Sequence, residues 1–175
     1  MEFSELVKIR KSCRSYGEER VCEDDIKQII LTAQQAPSWK NSQTGRYYAA
    51  LGDEAIESVL NTLPGYNQKS SKNAAYIVTT FVEGISGRDS DGTMTKEGDL
   101  WGAYDLGLQN AYLVLKASEL GYDTLIMGLR DTDALKKFFD IPEQETVMAV
   151  IAIGKKNTEL IARPRKELDE ILKVK

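Results

Sequence analysis

Three cationic side chains and two serine hydroxyls crowd the segment RKSCRSY, which runs from Arg10 to Tyr16. Like charges this close together repel one another unless an anion lies against them. The guanidinium groups of Arg10 and Arg14, with the Ser12 hydroxyl between them, match phosphate because arginine forms paired, charge-assisted hydrogen bonds. The segment is therefore a candidate anion site, and a solvated helix end is the alternative interpretation.

A second basic cluster lies near the other end of the chain. The stretch ARPRKEL supplies Arg163, Arg165 and Lys166. These side chains would suit the same kind of anion, and a solvated tail is again the alternative.

Two uncharged segments could bind the remainder of a ligand. PSWKNSQTG places the amides and hydroxyls of Ser38, Asn41, Ser42 and Gln43 beside Trp39. Such a set can bind the polar edge of a heterocycle while the aromatic ring covers it, although a polar surface loop has similar composition. Further along, Gly128 follows Met127 at the end of a short predicted strand, where glycine permits close approach of backbone to a ligand. A plain strand-end turn is the alternative.

The composition of the 175 residues bounds the class of protein. Hydrophobic residues make up 42% and charged residues 29%, which predicts one globular domain over residues 1–175. A net charge of -4 argues against a nucleic-acid or anionic-membrane partner. The charged start MEFSELVKIRKS and the shortness of the longest apolar run, VMAVIAI, argue against a signal peptide and a membrane span. We therefore expect a cytoplasmic protein.

Histidine is absent, and the two cysteines are far apart in sequence. This excludes histidine-assisted nucleophilic triads and the common histidine-containing metal sites. No P-loop, Rossmann glycine motif or GxSxG elbow is present. We therefore predict no metal and no identifiable catalytic side chain, and we expect a cofactor that carries its own chemistry.

The periodicity of apolar residues predicts an α+β domain with a mixed central sheet. The predicted helices cover residues 3–10, 23–36, 53–63, 100–120 and 132–139, and the predicted strands cover 46–51, 74–82, 124–127 and 147–153. Ser4 and Asp53 are the predicted caps of the first and third helices. The long helix is apolar nearly all round, so it should be central or shared with a partner subunit. Residues 84–98 are predicted to be loop.

The order of these segments resembles that of the FMN-dependent nitroreductase family over nearly the whole chain. The family pattern R-R-S-x-R-x-[FY] stands here as RKSCRSY, and APS-x-x-N-x-Q stands as APSWKNSQ at residues 36–43. The family's long helix is similar to DLGLQNAYLVLKASELGY at residues 105–122. LIMG at 125–128 resembles the segment that faces the flavin, and IAIGK and RPRK complete the likeness.

The resemblance implies a nitroreductase-like fold in which helices flank a mixed sheet, and an intertwined homodimer with FMN at the interface. The implied cofactor-binding residues fall into four groups. Arg10, Lys11, Ser12, Arg14 and Arg165 would hold the phosphate and its surroundings; Pro37, Ser38, Trp39 and Asn41 would reach the flavin from the partner subunit; Asn67 would bind the pyrimidine edge; Met127 and Gly128 would present backbone N–H groups near N5.

The resemblance also implies the reaction. NADH or NADPH would reduce the flavin, and a small-molecule acceptor such as a nitroaromatic or a quinone would then take the electrons in a ping-pong cycle. The alternatives are another flavin reaction on the same fold (reductive dehalogenation, flavin fragmentation or azoline oxidation) and a non-catalytic FMN-binding module. Thr44-Gly45 replaces the family's usual Pro-Trp, and residues 84–98 are short, so we expect an open or differently lidded pocket.

Overall fold

The computed structural model describes residues 2–175, in which helices pack on a four-stranded sheet. The strands are β1 (Gly45–Ala50), β2 (Ala75–Val82), β3 (Asp123–Met127) and β4 (Glu145–Gly154). The helices are α1 (Phe3–Ile9), α2 (Glu23–Ala33), α3 (Asp53–Asn61), α4 (Gly65–Ser71), α5 (Leu100–Glu119), α6 (Thr132–Phe139) and α7 (Leu168–Ile171). A 3-10 turn covers Trp39–Asn41. The predicted α+β class is confirmed.

The strand order is β1-β2-β4-β3, and every neighbouring pair is antiparallel. Within residues 2–175 the single parallel pairing is a bridge between Ser12 and Thr124, on the outer edge of β3. The sheet is therefore mixed only through this bridge. Strand direction was not readable from the sequence because it depends on which strands become neighbours, and apolar patterns do not encode that.

The centre of the sheet is buried on both faces. All residues of β2 except Val82 are buried, which explains why AYIVTTFV is a continuous β-branched and mostly apolar stretch. α5 packs on the sheet through Leu106 and Leu113, and α2 packs on α5. None of the helices in residues 2–175 combines the length and apolar character that a membrane span needs.

The buried and exposed faces of α5 do not divide cleanly into apolar and polar residues. Its inward face also buries three polar side chains, those of Asp105, Gln109 and Asn110. Its other side exposes Leu100 and Tyr104, which are 69% and 59% accessible. The helix is thus central to this chain and still presents apolar surface outward.

Helix ends differ from the sequence-based expectations. α1 follows Glu2 without any side-chain cap, so Ser4 lies inside the helix and is not its cap. Gly52 is the N-cap of α3, and Asp53 is the first helical residue. α4 was not predicted because Pro64-Gly65 indicates a break, whereas here Pro64 is the N-cap of a new helix that begins at Gly65. The missing N–H of proline costs little there, because N–H groups at a helix start have no partner within the helix.

Gly102 gives a direct test of the packing between α5 and the sheet. A Cβ added there would lie 2.7 Å from Cε2 of Phe81, so Gly102→Ala forces the two elements apart. We expect Gly102→Ala to lower the free energy of unfolding by about 1–3 kcal/mol in urea titrations. Gly65→Ala is the control, since an added Cβ meets nothing within 4 Å and should be neutral or slightly stabilising. Equal stability of the two variants would contradict this packing.

Candidate functional site

Residues 10–17 are fastened to the edge of the sheet by their backbone and by two buried side chains. The Cys13 N–H donates to the Thr124 carbonyl at 2.9 Å, and the Gly17 N–H donates to Lys155 at 2.8 Å. Cys13 is fully buried and Tyr16 nearly so, and the Tyr16 hydroxyl donates to the Cys13 carbonyl at 3.3 Å. Burial raises the pKa of both the Cys13 thiol and the Tyr16 hydroxyl, so both stay neutral.

Because Cys13 and Tyr16 point inward, the basic residues between and before them face outward. They line a cavity of about 370 Å³ together with the last turn of α1 and the tail. Six of its lining residues are cationic and none is acidic: Lys8, Arg10, Lys11, Arg14, Arg163 and Arg165. Within residues 2–175 none of the six pairs with a carboxylate. We call this cavity the basic cavity; side chains of this kind favour an anionic ligand over a neutral or cationic one.

The tail reaches the basic cavity through Lys11 and Leu160. The Lys11 ammonium donates to the Leu160 carbonyl at 3.3 Å, and the Leu160 side chain packs against the core. The next residues, Ile161 and Ala162, line the cavity with Arg163 and Arg165. Two basic segments about 150 residues apart in sequence thus line the same cavity.

Loop 37–43 holds a strained backbone. Lys40, Asn41 and Gln43 have φ angles of 45°, 57° and 49°, a region that costs non-glycine residues on the order of 1 kcal/mol each. Hydrogen bonds compensate: the Trp39 N–H donates to Asp105 Oδ2 at 3.0 Å, and the Gln43 N–H donates to the Ser38 hydroxyl at 3.1 Å. Strain that the surroundings hold in place is typical of functional loops.

Loop 84–98 is joined to loop 37–43. The Trp39 indole N–H donates to the Arg88 carbonyl at 2.7 Å, and the Lys40 ammonium contacts Asp89 at 2.8 Å. The Trp39 ring also packs on Trp101, with centroids 4.7 Å apart. Residues 84–98 contain no helix or strand, as predicted, and they form a wall beside loop 37–43.

Loop 37–43 and the basic cavity lie at opposite corners of the sheet. Ser12 sits outside β3 at one edge, whereas loop 37–43 leads into β1 at the other edge. Along the strands, Thr124 is level with Ile153, whereas Gly45 is level with Phe81 and, through it, Thr146. Ser12 and Gly45 are thus separated by four strand spacings across the sheet and by seven residues along a strand, which puts them about 30 Å apart. Within one chain they cannot contact the same small molecule.

Met127 and Gly128 lie at the end of β3, about 10 Å along the strand from Thr124. Met127 is buried, and Gly128 is exposed with nothing within 4 Å of an added Cβ. Arg130 fixes this turn by donating to the carbonyls of Gly128 and Val147. Burial lowers the pKa of the Arg130 guanidinium. Backbone at Gly128 is therefore open to a ligand and rigidly held.

The predicted residues therefore form separate groups. The structure brings Arg10, Lys11, Ser12, Arg14 and Arg165 together, and Met127 and Gly128 lie on the adjacent strand. Pro37, Ser38, Trp39 and Asn41 form the distant group on loop 37–43. Asn67 lies on α4, half-buried, and does not line the basic cavity.

The sequence-based reasoning missed several residues of these groups. Lys8 could have been found from the density of cations between residues 8 and 14. Arg163 was named in the second basic cluster but not among the implied cofactor-binding residues. For Asp105 the available signal was a carboxylate within the mostly apolar first half of the long helix. Arg130 carried no distinguishing pattern, since its role depends on two carbonyls from different strands.

Comparison with known proteins gives the family. The profile of the nitroreductase family matches residues 7–155, which is most of the chain. The chain belongs to the nitroreductase family. MhqN of Bacillus subtilis, provisionally named an NAD(P)H nitroreductase, is 25% identical to this nitroreductase-family chain; the alignment covers 94% of this chain and 93% of MhqN.

Two solved structures share the fold of this nitroreductase-family protein. One, from Exiguobacterium sibiricum, is provisionally named a nitroreductase and was crystallised in complex with FMN. It is 20% identical with a TM-score of 0.87, covering 100% of this chain and 98% of the other. A nitroreductase family protein from Streptococcus pneumoniae is 19% identical with a TM-score of 0.86, covering 99% and 100%. The predicted nitroreductase-like fold is confirmed.

The two cysteines test how residues 10–17 dock. Cys13 is buried with a raised pKa, whereas Cys22 is exposed at the start of α2. Because only an accessible thiolate reacts, a thiol reagent should label Cys22 rapidly and Cys13 only after denaturation. Labelling is followed by the absorbance of the thiol reagent, and Cys22→Ser should remove the rapid phase. Rapid labelling of Cys13 in the native protein would mean that the segment is not held against β3.

Proposed function

We propose that this nitroreductase-family protein is an FMN-dependent oxidoreductase that takes electrons from NADH or NADPH and passes them to a small-molecule acceptor. The observation that carries the proposal is the basic cavity, with six cationic side chains and no carboxylate. An uncompensated cluster of this kind is stabilised by a dianionic group such as a phosphate monoester. The names of relatives, MhqN and the FMN complex from Exiguobacterium sibiricum, support the same proposal.

The residues present fit an FMN phosphate. Arg10 and Arg14 flank the Ser12 hydroxyl at the cavity wall, and Arg165 arrives from the tail. Lys11 also lines the cavity, while its ammonium holds the tail carbonyl of Leu160. In this proposal these residues hold the phosphate end, and the exposed backbone at Gly128 presents its N–H to the ring.

A homodimer is part of the proposal, because the predicted site residues cannot meet within one chain. Loop 37–43 lies about 30 Å from the basic cavity of its own chain, a distance set by strand spacing. A second copy can bring Ser38, Asn41, Pro37 and Trp39 to the same cofactor. The exposed apolar residues Leu100 and Tyr104 of α5 provide surface for such an interface.

When bound, FMN would supply the hydride and electron-transfer chemistry between the nicotinamide and an acceptor such as a nitroaromatic or a quinone. The protein contributes binding and electrostatics. The cations of the basic cavity anchor the phosphate, and the Arg130 charge lies two residues from Gly128, where it favours negative charge on a ligand at that turn.

A single domain over residues 1–175 and a cytoplasmic location stay predictions; Met1 lies outside the described residues.

The cofactor proposal is tested with FMN and reductant. We expect the purified protein to bind FMN and its flavin absorbance to bleach anaerobically with NADH or NADPH. Arg10→Ala or Arg165→Ala should weaken FMN binding by about 1.5–3 kcal/mol for each lost charge-assisted contact, measured by fluorescence titration. Arg20→Ala is the control, because Arg20 pairs with Asp53 on the surface. If both cavity variants keep full affinity, or no flavin binds, the proposal fails.

The shared site is tested by complementation. Arg10→Ala and Asn41→Ala should each weaken both sites of a homodimer. A heterodimer formed by co-expressing the two variants should contain one site with both native halves and one site with both changes. We therefore expect one tight and one weak FMN per heterodimer by calorimetry. Two equally weakened sites would instead assign both residues to the same chain's site.

A further inference from the structure

A buried carboxylate on α5 contacts both loop 37–43 and loop 84–98. Asp105 is only 2% exposed. Its Oδ2 accepts hydrogen bonds from the Ser86 hydroxyl at 2.8 Å, from the Trp39 N–H at 3.0 Å and from the Ser42 hydroxyl at 3.4 Å. One carboxylate oxygen thus binds loop 37–43 and loop 84–98 at the same time.

Asp105 has no cation to balance its charge. Across residues 2–175 none of the ion pairs includes it. A buried carboxylate is unfavourable unless donors compensate it, and here all the donors come from the two loops. α5 also buries Leu106 and Leu113, which give the helix apolar packing that does not involve Asp105. What the carboxylate contributes is the hold on the loops.

The bond to Trp39 acts at the point where loop 37–43 becomes strained. The next residue, Lys40, and then Asn41 adopt left-handed φ angles of 45° and 57°. The Trp39 side chain is also held, by packing at a tilt against the Trp101 ring and by the indole N–H, which donates to the Arg88 carbonyl. Releasing the Trp39 N–H would let the backbone relax toward ordinary φ angles and move the Ser38 and Asn41 side chains.

We propose that Asp105 is a positioning residue, which fixes loop 37–43 in the conformation that lets Ser38 and Asn41 complete the cofactor site. The inference rests on the proposed function for the identity of the ligand, and the loop geometry itself does not depend on it. Asp105 acts through the backbone of Trp39 and touches no substrate.

The two tryptophans of the chain report the loop position directly. Trp39 lies on the loop and Trp101 on α5, 4.7 Å apart between ring centroids, so their exciton coupling should give a circular dichroism band in the cofactor-free protein. Asp105→Ala should abolish that band and weaken FMN binding by roughly tenfold or more, as expected for loss of a hydrogen bond to a charged group. Asp105→Asn should keep most of both readouts, because the amide oxygen has two lone pairs and can still accept the two shorter hydrogen bonds, from the Trp39 N–H and the Ser86 hydroxyl.

Asp89→Asn is the matched control, since it removes an exposed contact between the same two loops at Lys40. It should leave the exciton band unchanged and FMN affinity within about twofold, because exposed ion pairs contribute little. If Asp105→Ala does not fold, Ser86→Ala takes its place and should weaken the band and the affinity in the same direction.

The outcomes separate the two proposals. An unchanged exciton band and unchanged FMN affinity in Asp105→Ala, or in Ser86→Ala where the former does not fold, would overturn the positioning role. A lower melting temperature with both readouts intact would also overturn it, since it would show a merely structural residue. If the wild-type protein binds no FMN but Asp105→Ala loses the band, the proposed function fails and the hold on the loop stands.

Discussion

Docking of residues 10–17 against the outer edge of β3 is the interaction on which the basic cavity depends. Burying Cys13 and Tyr16 turns the neighbouring arginines outward, and pairing with Thr124 fixes where they stand. The energy that concentrates positive charge there comes from apolar burial and backbone hydrogen bonds, because the cations repel one another. The repulsion among these cations is unfavourable in the folded protein, and a bound anion would relieve it.

A second constraint is the distance across the sheet. Each strand adds a fixed spacing, so a four-stranded sheet keeps its two edges well apart whatever the side chains are. The basic cavity lies at one corner of the sheet, and loop 37–43 lies at the opposite corner. Our proposal of a shared site in a homodimer follows from this geometry, since a second copy can supply the missing half without changing the fold.

The buried polar residues of α5 serve a different purpose from its apolar ones. Leu106 and Leu113 pack the helix on the sheet, whereas Asp105 accepts hydrogen bonds from loop 37–43 and loop 84–98. A strained loop needs such a hold because its own turn chemistry favours other conformations. The apolar residues of α5 thus stabilise its packing on the sheet, and its buried carboxylate positions the two loops.

The sequence by itself determined the four strands, most of the helices and the cation clusters, but not α4 or α7. The apolar runs of β2 and β4 and the charge density near Arg10 are local properties, and local periodicity and composition report them directly. It did not determine the antiparallel order, the helix caps at Glu2 and Gly52, or the roles of Asp105 and Arg130. Those depend on partners far along the chain, such as Trp39 for Asp105 and Val147 for Arg130. Only the tertiary structure decided them, because a hydrogen bond between distant segments exists only once the sheet has brought them together.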